Sequence, residues 1–178
     1  MSEAVAHRVV DKAMDLSVLI ACHDLTLAID AHVVERLALP SDVQGHASAL
    51  HPIVQVEDTR YAAWNLAEML GMSSVVDAWA LLRIPFRGAE LPIALATGTC
   101  LAVQPIREAV RLPPKLFMER RGAMRSAFIL PKLGTRAARS ILGMRLEVLA
   151  LFTEEELAKS SKALTAENRL ARASGGKA

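Results

Sequence analysis

The stretch IVQVEDTRYAAWNLAEMLGM, residues 53–72, predicts a β-hairpin followed by one short helix. Val54 and Val56 alternate with polar neighbours, as residues of a strand with one buried face do. The acids Glu57 and Asp58 then mark a turn, and the apolar run that follows gives the second strand. These two adjacent acids at the tip of an apolar hairpin are either a solvated turn or a position that a partner recognises.

The helix at the end of this stretch is predicted from its capping residues. Asn65 is placed as an N-cap, and Glu68 stands three residues later, which makes an Asn-based relative of the capping box. Gly71 is placed to close the C terminus. The predicted helix is therefore only about a turn and a half long.

The residues before this stretch predict a second hairpin and a loop. Residues 16–30 are rich in β-formers and turn at His23 and Asp24, and the chain then continues in extended form to Pro40. Residues 41–52 contain Ser, Asp, Gly, His and Pro, which predicts a loop before the hairpin quoted above.

The second half of the chain repeats this order of elements. Residues 80–97 predict a hairpin with a Gly-containing turn, and the extended chain after it ends near Pro105. Residues 146–152 predict a final strand, and Thr153 with Glu156 predicts a capping box that opens the last helix.

Two copies of one small β unit explain this order most economically. We expect one domain with two β subdomains, approximately residues 16–79 and 80–160. Residues 161–178 form a polar tail, and its last part, ENRLARASGGKA over residues 167–178, is expected to be frayed.

The composition predicts a globular protein without a strong charge signal. Hydrophobic residues make up 52% of the chain and aromatic residues only 4%, so Val, Leu, Ile and Ala must fill the core. The 21 basic and 19 acidic residues nearly balance, which gives no sign of a general polyanion binder. Cys22 and Cys100 are too few for a disulfide framework and are expected to be reduced core residues. The acidic start and the lack of a long apolar run predict a cytoplasmic protein with no membrane insertion.

Four segments, taken together, resemble the CheW-like domain, the adaptor fold of bacterial chemosensory arrays. They are LAIDAHVVERLALP, the hairpin and helix quoted above, ELPIALATGTCLAVQPI, and LEVLALFTEEELAKS, which together span about residues 16–160. The second segment carries the strongest similarity, through Val54, Val56, Trp64, Leu66, Leu70 and Gly71.

The resemblance implies a mainly β fold of two small five-stranded SH3-like β-barrel subdomains around a shared hydrophobic core, with short capped helices. It also implies a non-enzymatic adaptor that links a chemoreceptor tip to the regulatory domain of a CheA-type histidine kinase. Partner binding would then use exposed β edges and hairpin tips around Val34, Glu35, Glu57, Asp58 and Arg60.

Two features depart from the family pattern. The family pattern has Arg-Gly at the hairpin tip, where this sequence has Glu57-Asp58. A basic-to-acidic change at a contact turns attraction to an acidic partner group into repulsion. Asp tolerates the backbone conformation of that Gly better than most residues do. The acids thus predict either a changed partner or a dedicated scaffold, unless they are a plain solvated turn.

The second departure is the basic connection over residues 107–145. It is either an exposed loop or helix with solvated charges, or a docking segment for an acidic protein partner. Nucleic acid and anionic lipid are less favoured ligands. For nucleic acid, the aromatic side chains needed for base stacking are sparse there. The basic residues proposed for docking are Arg120, Arg121, Arg125, Arg136 and Arg139.

Catalytic, metal and cofactor signals are weak throughout. Cys22 and His23 are neighbours in a strand and so point to opposite faces, which argues against a catalytic pair. His46 and His51 lack further ligands for a zinc site. The rival functions are a CheW-like scaffold outside chemotaxis, such as one that organises polarity or motility proteins, a two-barrel nucleic-acid binder, and a small-molecule enzyme.

Overall fold

A computed structural model describes residues 16–22, 25–46, 48, 51–73, 75–106, 109–111, 123–130 and 141–175. Strands dominate this part of the chain. They are β1 (Leu16–Cys22), β2 (Leu25–Asp30), β3 (Val34–Ala38), β4 (Gln44–His46), β5 (Ile53–Val56), β6 (Thr59–Asn65), β7 (Ala78–Phe86), β8 (Ala89–Thr97), β9 (Cys100–Pro105), β10 (Val110–Arg111), β11 (Met124–Leu130) and β12 (Ile141–Leu146). The helices are α1 (Leu66–Met69) and α2 (Glu154–Gly175).

The described strands form two six-stranded sheets. The first sheet has the order β10-β11-β12-β2-β1-β9, and the second sheet has the order β3-β7-β8-β6-β5-β4. Pairing is antiparallel except between β12 and β2 and between β6 and β8, which are parallel. Each sheet therefore contains one parallel neighbour pair at the same place in its strand order.

This arrangement confirms the mainly β fold with two β units and corrects the strand number. Each sheet has six strands rather than five, and the pairings found among the described residues do not join the end strands into closed barrels. The first sheet takes β1 and β2 from the start of the chain and β9–β12 from its second half. Sheet membership thus crosses the predicted boundary at residues 79 and 80, and the division into those two subdomains stays a prediction.

The central strands are buried on both faces, which explains their long apolar runs. In β7, Leu82 and Ile84 point into a core that both sheets and both helices share, whereas Leu81 points to the other face. In β8, Ile93 and Ala94 divide in the same way. Since successive side chains alternate between faces, each of these strands contributes to two cores.

Each sheet curves around a second, smaller cluster of buried side chains. In the second sheet, Ala38 of the end strand β3 packs in one cluster with Val54 and Val56 of β5 and with Tyr61 of β6. These strands are far apart in the strand order, so the sheet must curve strongly to bring their side chains together. The corresponding cluster of the first sheet contains Leu19, Ala28 and Phe128.

The three hairpins and the helix caps predicted from the sequence are confirmed. β1 pairs with β2 and β5 pairs with β6, while β7 pairs with β8 around the turn at Arg87 and Gly88, which both have positive φ. The Asn65 side chain accepts a hydrogen bond from the Glu68 amide at 3.2 Å. Thr153 and Glu156 exchange the two bonds of a capping box at the start of α2.

Three local predictions were wrong. The predicted loop over 41–52 contains strand β4, which pairs with β5. The predicted last strand over 146–152 is replaced by β12, which ends at Leu146, and by a 3-10 helix over Val148–Leu151. The tail predicted to fray continues as α2 to Gly175.

Helix α2 is attached to the second sheet through Trp64 of β6. The indole ring contacts the edge of Phe152 at a centroid distance of 5.5 Å, and its Nε1 donates to Ser160 Oγ at 3.2 Å. On its other side lies His51, at a centroid distance of 4.5 Å. The Nε2 atom of His51 is buried and has no hydrogen-bond partner among the described residues, and burial lowers the pKa of this imidazole.

We expect Gly143→Ala to destabilise the fold, because a Cβ at residue 143 would lie 2.2 Å from the ring of Phe128 on the paired strand. Overpacking of this kind costs about 1–3 kcal/mol. Urea denaturation should show this loss, and Phe128→Leu should recover part of it in the double variant. An equally stable Gly143→Ala protein would contradict the packing described for β11 and β12.

We expect the stability of the protein to fall as the pH drops below 6.5, the ordinary value for histidine. The folded state holds the pKa of His51 below that value, so the unfolded chain binds the proton more readily. His51→Phe should reduce this loss between pH 7.5 and 5.5 in thermal melts. The same pH dependence in His51→Phe as in the wild type would contradict this assignment.

Candidate functional site

The curl of the second sheet brings most of the predicted partner-binding residues to one side of the molecule. Val34 and Glu35 lie on the end strand β3, and Glu57 and Asp58 form the tight turn between β5 and β6. The guanidinium of Arg36, on β3, donates to Glu57 Oε1 at 2.6 Å. The end strand β3 and the β5–β6 hairpin tip, which have β7 and β8 between them in the strand order, are thereby joined.

Glu35 is the centre of a second set of contacts on this surface. Its carboxylate accepts bonds from Arg83 Nε at 2.8 Å and from Arg83 Nη2 at 3.2 Å, which is a bidentate geometry. The hydroxyl of Tyr61 donates to the same carboxylate at 3.2 Å, and the Arg83 guanidinium lies 5.7 Å from the Tyr61 ring centroid. Hydrogen bonding from Arg83 is the main reason why the pKa of Glu35 is lowered.

We call Glu35, Arg36, Glu57, Tyr61 and Arg83 the polar cluster. Sequence reasoning named two of its members and missed the other three. Arg83 had a detectable signal, because it is a lone charge within the otherwise apolar run of β7. Arg36 and Tyr61 had none, because their partners lie 21 and 26 residues away and meet them only after the sheet curls.

The two acids at the hairpin tip have different surroundings. Glu57 has a φ of 53°, a conformation that costs a residue with a side chain about 1 kcal/mol, and its carbonyl accepts a bond from Gln55 Nε2 at 2.8 Å. From the sequence, Asp58 was expected at the position with positive φ, whereas the structure places Glu57 there. Asp58 is exposed and lines a polar cavity of about 360 Å³ together with Arg60 and Asn168.

Arg60 differs from Glu35 and Glu57 because its partner lies on helix α2 rather than in the polar cluster. Its Nη1 donates to the carbonyl oxygen of Glu167, in the second half of α2, at 2.7 Å. This bond is partly buried. A partner that uses Arg60 must therefore compete with α2 for this donor.

An apolar pocket opens beside the polar cluster, between the two sheets. Its volume is about 300 Å³, and Arg83 belongs to both the pocket and the cluster. Leu149, on the 3-10 helix after β12, is about half exposed at its mouth. We call this cavity the inter-sheet pocket; its lining residues are Asp30, Val33, Arg83, Ile84, Pro85, Arg145, Leu146, Glu147, Val148 and Leu149.

The remaining predicted residues and sites have separate outcomes. Arg120, Arg121, Arg136 and Arg139 lie outside the described residues, and the backbone of Arg125 lies on β11. The basic connection is not one loop or helix, because it includes β10, β11 and most of β12. The role of this segment in docking stays a prediction.

The described residues contain little that suggests catalysis or metal binding. Both cysteines are free thiols, and burial raises the pKa of Cys22 and of the half-buried Cys100. No group of three or more His, Cys, Asp or Glu side chains in the described ranges is arranged to hold a metal ion. His23 and Asp24 lie outside those ranges. Neither of the two described helices has the length and apolar character needed to span a membrane.

Comparison with known proteins gives a match in structure and none in sequence. No protein-family model matches the chain, and a search of curated proteins finds no match. Among solved structures, the crystal structure of the scaffolding protein TtCheW from Thermoanaerobacter tengcongensis matches with a TM-score of 0.58. The alignment covers 86% of this chain and 94% of that chain at 12% identity. The fold is CheW-like.

This fold likeness is consistent with the sequence resemblance and goes no further than architecture, because the identity is only 12%. It covers both sheets of the CheW-like fold rather than one of them, since nearly the whole neighbouring chain is aligned. The polar cluster and the inter-sheet pocket are features of this chain's own side chains.

We expect Glu35 and Arg83 to be energetically coupled in this CheW-like fold. A double-mutant cycle with Glu35→Gln and Arg83→Met should give a coupling of about 0.5–1 kcal/mol, because both side chains remain about one-third exposed. The coupling, measured by urea denaturation, should shrink in high salt. Additive effects of the two substitutions would contradict the bidentate contact as an organiser of this surface.

Proposed function

We propose that the chain is a non-enzymatic adaptor in a bacterial chemosensory-type assembly, where it binds the regulatory domain of a CheA-type histidine kinase and a receptor tip or a replacement client. The observation that carries this proposal is the CheW-like fold across nearly the full length of a scaffolding protein. That neighbour is a scaffolding protein, and this chain is proposed to share that general role.

The polar cluster and the inter-sheet pocket support binding of a protein partner. An apolar pocket of about 300 Å³ accommodates one or two apolar side chains, and the adjacent ion pairs provide a fixed polar rim. Protein interfaces commonly combine a desolvated apolar centre with such a rim. The side chains of Glu35 and Arg83 are held by each other, so little side-chain entropy is lost when a partner binds over them.

The acidic hairpin tip favours a second candidate, a CheW-like scaffold whose client is not an ordinary chemoreceptor. Glu57 carries negative charge where the family pattern has Arg, and Arg36 already neutralises part of that charge within the fold. A client that contacts this tip would need a different charge pattern from that of a standard receptor tip. Such a scaffold could organise polarity or motility proteins.

The adaptor proposal is tested by calorimetric binding of the full chain to a CheA-type regulatory domain and, separately, to a chemoreceptor tip. Leu149→Lys should weaken partner binding about tenfold or more, because it places a charge at the mouth of an apolar pocket. Leu170→Lys is the matched control, since Leu170 is exposed on α2 and does not line the inter-sheet pocket.

Binding of the regulatory domain without the receptor tip would support the second candidate. Binding of neither protein would contradict a chemosensory adaptor of either kind. Equal effects of the two lysine substitutions would show that the inter-sheet pocket is not the contact surface.

A further inference from the structure

Strand β9 ends the first sheet with a backbone edge that has no partner strand among the described residues. It pairs with β1 on one side, through residues from Pro105 to Cys100, and no described strand pairs with its other side. An open strand edge of this kind presents a row of amide and carbonyl groups to another strand. At six residues, β9 is also the longest of the four end strands that the structure describes.

The other described end strands carry features that discourage pairing with a further strand. β10 has only two residues, one of them Arg111, and β4 is the short run Gln44–His46. β3 carries Glu35 and Arg36, whose side chains are held in the polar cluster. Short length and charge are the usual protections of a sheet edge. Strand β9, CLAVQP, is neither short nor charged, and its irregular features are a bulge at Leu101 and the terminal Pro105.

The exposed face of β9 is also apolar. Leu101 is 50% exposed and Val103 is 55% exposed, so two large apolar side chains stand two residues apart in solvent. Leu16, at the start of the neighbouring strand β1, is 40% exposed. Ala102, between Leu101 and Val103, points to the opposite face and packs against the inner cluster of the first sheet.

We propose that this edge pairs with β9 of a second copy of the chain, antiparallel and around a two-fold axis at Ala102. In that register Leu101 of each copy lies opposite Val103 of the other. The two-fold axis repeats this apolar pair, so it occurs twice in the interface. No charges face each other across the axis, because β9 contains none. Pro105 limits the pairing at one end, since it has no amide hydrogen to donate.

The self-pairing of β9 is favoured over pairing with an unrelated strand because the sequence is complementary to itself in this register. The interface consists mainly of one strand pair with five residues from each copy, residues 100–104, so it is smaller than a standard stable interface. We therefore expect a weak dimer that is visible only at high protein concentration. This inference does not depend on the proposed adaptor function.

Sedimentation equilibrium of the full chain across 5–500 µM tests the proposal. The wild type should show a reversible monomer–dimer equilibrium, and Val103→Lys should weaken it about tenfold or more, because the substitution occurs twice at a two-fold axis. Val110→Lys is the matched control, since Val110 is 74% exposed on β10 at the opposite end of the same sheet. Circular dichroism should show that both variants keep the strand content of the wild type.

Disulfide trapping tests the register. Residues that face each other in an antiparallel pair have Cα atoms about 4.5–5.5 Å apart, which is within reach of a disulfide. In a Cys100→Ser background, Ala102→Cys should therefore give a covalent dimer on mild oxidation, whereas Val110→Cys should not.

Three results would overturn the proposal. A full chain that remains monomeric across the concentration range would show that β9 does not pair with itself. A dimer that Val103→Lys leaves intact would place the contact elsewhere. Equal trapping by both cysteines would exclude the two-fold axis at Ala102.

Discussion

The fold depends on burying the central strands of both sheets on their two faces at once. In β7 and β8, one set of alternating side chains fills the core between the sheets, and the other set fills the inside of the second sheet's own curl. In β1, Ile20 and Leu19 divide in the same way between the shared core and the inside of the first sheet. Each sheet is therefore stable in its curved form only while the other covers its outer face, and the two sheets behave as one structural unit.

The candidate site is a consequence of that curvature. A flat second sheet would keep β7 and β8 between β3 and the β5–β6 hairpin, and Arg36 would not reach Glu57. Because the sheet curls around Tyr61 and its neighbours, β3 approaches the hairpin tip and the polar cluster forms beside the inter-sheet pocket.

The two adjacent acids of the hairpin tip have different roles in the fold, because Glu57 is paired with Arg36 whereas Asp58 remains exposed. Such contacts between residues distant in the chain are invisible to a local reading of the sequence.

Features that depend on residues close together in the chain, by contrast, were predictable from the sequence. The caps at Asn65 and Thr153 depend on residues within one helical turn, and the structure shows both. The strand Gln44–His46 was missed because its polar residues become a strand only through pairing with β5. The segment at Val148–Leu151 was assigned to a strand because it is apolar, but its buried residues, Val148 and Leu151, are three apart, which suits a 3-10 turn.

Native-state hydrogen exchange measures the central claim, the mutual dependence of the two sheets, most directly. The account predicts that the slowest amides of β1 and β2 in the first sheet and of β7 and β8 in the second exchange with the same free energy, equal to that of global unfolding. The contradictory result would be two levels of protection, with the first sheet opening at a lower free energy while the second stays closed.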